Sequence, residues 1–320
     1  MNEIAGIIVP FFGGILLGFG SGRFSFVKPG ATSALSFFTF YLAMPALFFQ
    51  LVAETPLSSF QGLSFLAATT FATYCAFAIA FSAGALTNGG NVSEATVQGL
   101  LGSYSNLTYM APAITIAAFG PAAALPMALI VVFDTILMVV LTPLMMALGG
   151  SLRTDTRTAA RAVGRQLAFH PLIIATVLGM ALSATGLLLP ASIDGLVTSL
   201  RLSAVPCALF LLGLGLSQRS IDSVSIEMPI VVIIKLIAQP LIVYLLLSWV
   251  GGFDATWVFV AVVIAALPPA AQVQSIANQY QVYAARASGT IALATVVSIS
   301  SLTILLVLLL NGVLPVDPLR

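Results

Sequence analysis

Charge is what this sequence has least of. Asp, Glu, Lys and Arg make up only 7% of its 320 residues, against 60% apolar residues. Mean hydropathy is +1.12. A soluble domain of this length needs far more polar surface, so lipid has to be the solvent for most of this chain. A net charge of +1 offers neither a basic field for nucleic acid nor an acidic tail. Histidine is almost absent too: His170 stands alone, with no acid pair near it in sequence, so no zinc set and no Ser-His-Asp arrangement can be assembled. There is no nucleotide-phosphate loop. The expectation is a protein that is not an enzyme and that carries no cofactor and no metal. Cys75 and Cys207 both fall in apolar stretches, where they read as buried free thiols and not as a disulfide framework.

What the sequence does have is long apolar runs. A hydrocarbon core of about 30 Å takes about 20 helical residues to cross. That ruler predicts ten spans, near 4–22, 31–53, 60–86, 94–119, 122–148, 168–187, 192–216, 228–250, 256–278 and 286–311. The first follows Glu3 without a basic leader and reads as a retained helix. With the N-terminus outside, the inward loops hold Arg23, Lys28, Arg153, Arg157, Arg161, Arg165, Arg219 and Arg286, and the outward side holds Arg320 alone. Such an excess predicts that both termini are outside and that the loop between spans 5 and 6 is cytoplasmic. Arg153, Arg157, Arg161 and Arg165 recur every four residues, as in an interfacial helix lying against anionic headgroups.

The basic segment also divides the chain into 1–150, a linker 151–167, and 168–320. Five spans on each side of the linker make the second half inverted relative to the first, a recurring plan for secondary transporters. Ala43-Met-Pro45-Ala-Leu-Phe48 in span 2 is echoed, with one residue inserted, by Ala204-Val-Pro206-Cys-Ala-Leu-Phe210 in span 7. Pro112 in span 4 is echoed by Pro268 and Pro269 in span 9. The fold class expected is all-α, with ten transmembrane helices as two inverted five-helix repeats.

Proline removes a backbone donor and disfavours helix at the residue before it. Spans 4 and 9 are therefore expected to break, with second halves starting near Ala113 and Ala270. If the two cross, two half-helix N-termini meet near the midplane, each with unpaired N–H groups and about half a positive charge. Such a place attracts a small carboxylate without a dedicated arginine.

These segments resemble the auxin efflux carrier family over essentially the whole chain. The resemblance lies in Tyr41-Leu-Ala-Met-Pro45-Ala-Leu-Phe48, Asn106-Leu-Thr-Tyr-Met-Ala-Pro112 followed by Phe119-Gly120, Lys235-Leu-Ile-Ala-Gln-Pro240, Ala266-Leu-Pro-Pro-Ala270 and Ala277-Asn-Gln-Tyr280-Gln-Val282. Thr108-Tyr109 replaces the family's Gly-Phe, and Ala111 replaces the glycine before the proline with no aliphatic residue between. The long cytoplasmic loop of many plant members is missing, as in the short bacterial type of an inner-membrane protein. The resemblance implies an elevator-like carrier. In it, helices 1, 2, 6 and 7 form a scaffold that also makes a homodimer, and helices 3–5 and 8–10 form the moving unit.

The candidate substrate-binding residues are Asn106, Thr108, Tyr109, Pro112 and Ala113 in span 4, and Pro268, Pro269, Ala270, Gln272 and Ser275 in span 9. Gln272, Ser275 and Gln279 share one helical face, and Gln274 and Asn278 share the next. Either face could line the site, the other packing against protein. Asp134 and Lys235 lie deep in spans 5 and 8. An isolated charge there costs at least ~2.5–3.5 kcal/mol, so pairing or protonation is expected. They are candidates for a coupling pair or for a permanent structural one. Proton coupling, sodium coupling as in bile acid symporters of similar crossed-helix plan, and a facilitator or channel all stay open. So do the substrate among malate, lactate, malonate and auxin-like aromatics, and the direction of transport.

Overall fold

The computed structural model describes residues 2–24, 26–56, 62–151, 156–218 and 225–319. Arg153, Arg219 and Arg320, three of the basic residues used for orientation, lie outside the described residues. Among those described the secondary structure is helical, with one isolated antiparallel bridge and no strand.

In chain order the helices open with α1 (Asn2–Arg23), α2 (Pro29–Phe38), α3 (Met44–Ala53), α4 (Leu63–Thr87) and α5 (Val92–Ser103). Next come α6 (Ala111–Phe119), α7 (Ala124–Leu148), α8 (Thr156–Ala168), α9 (Pro171–Thr185) and α10 (Ala191–Ser217). The last are α11 (Glu227–Ile233), α12 (Gln239–Val250), α13 (Ala255–Ala265), α14 (Ala271–Tyr280) and α15 (Ala284–Leu310). Among the described residues, six continuous helical stretches are long and apolar enough to cross a membrane, and seven if Arg157–Ala168 with Pro171–Thr185 counts as one. The count is below the ten expected partly because spans 4 and 9 are interrupted. Their pieces, α5 and α6, α13 and α14, run 12, 9, 11 and 10 residues. In addition, helical structure continues from Ala111 to Leu148 through the 3₁₀ turn Gly120–Ala123.

Two further prolines widen a helix without breaking it. Pro45 and Pro240 each follow a five-residue π-helical turn, Thr39–Ala43 and Ile234–Ala238. A proline clashes with the carbonyl four residues back, at Tyr41 or Leu236, and the wider π turn takes up that clash.

The chain groups into two compact units. The first comprises Met1–Phe60, Thr108–Val132 and Ala168–Arg219. Its α1 and α10 pack backbone to backbone: a Cβ built on Gly18 would overlap the Phe210 carbonyl, and one on Gly213 the Ile15 carbonyl. Small residues permit this approach, the usual driving force for helix association in lipid. Gly179 of α9 likewise lies against the Phe49 carbonyl of α3, 2.6 Å from a would-be Cβ. Polar ties add to the packing. Gln50 Nε2 donates to Asp194 Oδ1 (3.1 Å) and Thr198 Oγ1 (2.8 Å), and Arg201 pairs with Glu54 at 2.9 Å.

The second unit comprises Gln61–Leu107, Phe133–Leu167 and Ser220–Arg320. Gly84, Gly99 and Gly102 let α4 and α5 close up on Gln98, Phe77 and Ala80. Phe65 of α4 stacks edge-on against Phe253 and Trp257. Beyond α15 the chain returns onto α12, where Tyr244 donates to the Pro315 carbonyl and Ser248 to the Asp317 carboxylate.

Candidate functional site

Spans 4 and 9 are interrupted where the prolines predict. Helix α5 ends at Ser103, Tyr104–Met110 is non-helical, and α6 begins at Ala111 with Pro112 in its first turn, where the missing N–H costs nothing. Helix α13 ends at Ala265, Pro268 and Pro269 occupy the gap, and α14 begins at Ala271.

Within the second unit the two gaps pair. Ser105 and Pro269 form an antiparallel bridge. Asn106 N donates to Pro268 O at 2.9 Å, and Ala270 N donates to Tyr104 O at 3.0 Å. Backbone groups that leave a helix inside lipid must find partners in protein, and here each break satisfies the other.

Two side chains from the π-helical turn and α12 hold the paired gaps. Lys235, fully buried, donates Nζ to Ser105 Oγ (2.9 Å) and to Ala265 O (2.5 Å). Gln239, one turn on, donates Nε2 to Ser103 O (2.7 Å). Ala265 and Ser103 are the last residues of α13 and α5. The negative ends of both half-helices are thus capped, one by an ammonium and one by an amide. The N-terminal end of α14 is a positive helix end in the same region.

Asn106 is buried in the first gap, and its Oδ1 has no hydrogen-bond partner among the described residues. Pro268, Pro269 and Ala270 are buried in the second gap. On α14, Gln272 is half-buried and Ser275 exposed. The neighbouring face is engaged: Gln274 Nε2 donates to Asn278 Oδ1 (3.1 Å) and to Ala284 O at the start of α15 (3.0 Å). Thr108, Tyr109, Pro112 and Ala113 belong to the first unit, where all but the half-buried Tyr109 are buried.

Asp134 and Lys235 are both buried in the second unit but form no direct ion pair. Asp134 Oδ1 instead accepts from Thr73 Oγ1 at 3.3 Å, and its neighbour Thr135 meets Tyr104 OH at 3.5 Å. Ser105 and Gln239 were missed in the sequence. An amide four residues after a buried lysine, just ahead of a proline, was the available signal.

The membrane transport protein family matches residues 4–306. The chain belongs to this family. It is the auxin efflux carrier family that the sequence motifs resemble, and its members are membrane transporters, not enzymes. A protein of Rhizobium meliloti (strain 1021) named "Putative malonate transporter" is 38% identical over 317 residues, covering 99% of either chain. A family member of this composition is a multi-pass membrane protein.

Proposed function

We propose that this family member is a secondary carrier of a small dicarboxylate, with malonate as the first candidate. The observation that carries the reading is the pairing of the two helix breaks around Asn106. The Lys235 ammonium and the Gln239 amide cap the negative helix ends, so the field left at the crossing favours an anion. Asn106 brings an amide with an unpartnered end, and a half-turn about its terminal torsion presents the NH2 to a carboxylate. The first turn of α14, with Gln272 and Ser275, supplies further donors. Thr108, Tyr109, Pro112 and Ala113 remain candidates from the sequence and belong to the first unit. The name of the Rhizobium relative supports a short dicarboxylate over a bulky aromatic acid.

In this reading ten spans form two inverted five-helix repeats, with both termini outside and the α8 segment cytoplasmic. The compact unit holding α1–α3, α9 and α10 acts as the scaffold, pairs with a second copy and stands in the lipid. The unit built on α4, α5 and α11–α15 moves in an elevator-type cycle, with Asp134 taking up a proton beside Lys235. Grouping of the chain into two internally packed units supports that division, and the buried position of Asp134 supports its role. Thr108–Val132, assigned to the moving unit in the sequence reading, groups by packing with α1–α3, α9 and α10.

The test is a thermal-shift screen of the purified protein against organic acids, followed by uptake of labelled malonate into proteoliposomes. Malonate should raise Tm and be taken up saturably, and Asn106→Ala should abolish both. No shift with any small dicarboxylate, and no uptake, would end the reading.

A further inference from the structure

Helix α14 carries part of the proposed site but is weakly held by apolar packing, with only Val273 and Ala277 buried. Its start is tied by the bond from Ala270 N to Tyr104 O. Its far end enters an unusual turn. Gln281 and Tyr283 both have left-handed backbones, with φ of 55° and 57°, and are the non-glycine residues with positive φ among those described. Such backbone persists only where the surroundings over-determine it.

The surroundings here centre on Arg286. It sits in the first turn of α15, an unfavourable place for a cation. Two carboxylates, each in the first turn of its own helix, reach it: Glu227 of α11 at 3.2 Å and Glu94 of α5 at 3.9 Å. The Glu227 carboxylate also accepts from Tyr283 OH at 3.5 Å, and the Arg286 guanidinium lies 5.5 Å from the centre of the Tyr283 ring. One guanidinium therefore joins the N-terminal ends of α5, α11 and α15 and clamps the turn that ends α14. Glu227 is nearly buried, while the Arg286 side chain that reaches it is half exposed.

We propose that Arg286 is a positioning residue for transport: through Glu227, Glu94 and Tyr283 it fixes the 281–283 turn and so holds Gln272 and Ser275 of α14 in register with Asn106. The role rests on the reading of α14 as part of the substrate site. Without the clamp, α14 keeps its bonds at Ala270 and from Gln274 to Ala284 O, but the 281–283 turn that sets its register is released, which weakens binding more than it slows the moving step.

The test compares the full-length parent with Arg286→Gln, Arg286→Lys and Glu227→Gln in proteoliposomes, together with hydrogen exchange of the purified proteins. Arg286→Gln should raise KM for malonate about tenfold while kcat stays within about twofold. Exchange should quicken at 271–283 and stay unchanged in α1 and α10. Arg286→Lys should recover part of the KM, and Glu227→Gln should shift it in the same direction as Arg286→Gln. If KM and exchange at 271–283 match the parent in Arg286→Gln, or in Glu227→Gln should the first fail to fold, the positioning role is overturned. A parent that takes up no malonate defeats the dicarboxylate reading instead, and exchange at 271–283 still decides the role of Arg286.

Discussion

Lys235 Nζ lies 2.9 Å from Ser105 Oγ, joining a π-helical turn to the gap in another helix in the middle of an apolar unit. The same ammonium takes the last carbonyl of α13. Replacing Lys235 by Met removes the charge but orphans both oxygens where water does not reach. Each buried orphan costs about 1–3 kcal/mol. Lys235→Met should therefore lower the Tm in detergent clearly, whereas an unchanged Tm would show that the crossing holds without its ammonium.

The close approach of α1 and α10 makes a sharper structural prediction. Gly18→Ala has to push two backbones apart and should destabilise by about 1–3 kcal/mol or more. Gly215, on the same α10 but with nothing within 4 Å of a would-be Cβ, is the control. Gly215→Ala should be neutral or stabilising by up to about 1 kcal/mol. Thermal unfolding of the two variants side by side tests the interface.

Asp134→Asn keeps the shape of the side chain and its acceptor for Thr73 while removing its ability to exchange a proton. If Asp134 takes up a proton in each cycle, the variant should lose accumulation driven by a pH gradient. It should retain exchange of labelled for unlabelled malonate at equal pH. Uptake that still follows the gradient would rule Asp134 out as the coupling group.

Arg201 and Glu54 pair at 2.9 Å in the first unit, but the Glu54 side chain is 53% exposed. Solvent screening limits such a pair to about 1 kcal/mol or less. Arg201→Ala should shift Tm only slightly and leave KM for malonate unaltered. A large rise in KM would bring Arg201 into the substrate path.

Much of this architecture is legible in the residues because lipid imposes simple rules. Length and hydropathy locate apolar helices, and Pro112, Pro268 and Pro269 mark the breaks to within a few residues, since a missing N–H and a ring clash act locally. The motifs around Asn106 and Lys235 were enough to suggest the family. The continuous helical run through Gly120–Ala123 was not legible, because a glycine and a proline at a predicted loop also fit a 3₁₀ turn.

Local chemistry thus determined the medium this chain dissolves in, the positions of its helices and the two places where a helix fails. Which groups meet was decided only by the tertiary structure. The bridge between Ser105 and Pro269, the capping of α13 and α5 by Lys235 and Gln239, and the clamp of Arg286 on Glu94 and Glu227 all join residues from separate elements that are distant in the chain. A buried polar group must find a partner, but the sequence names only the need. Packing selects which partner lies within reach.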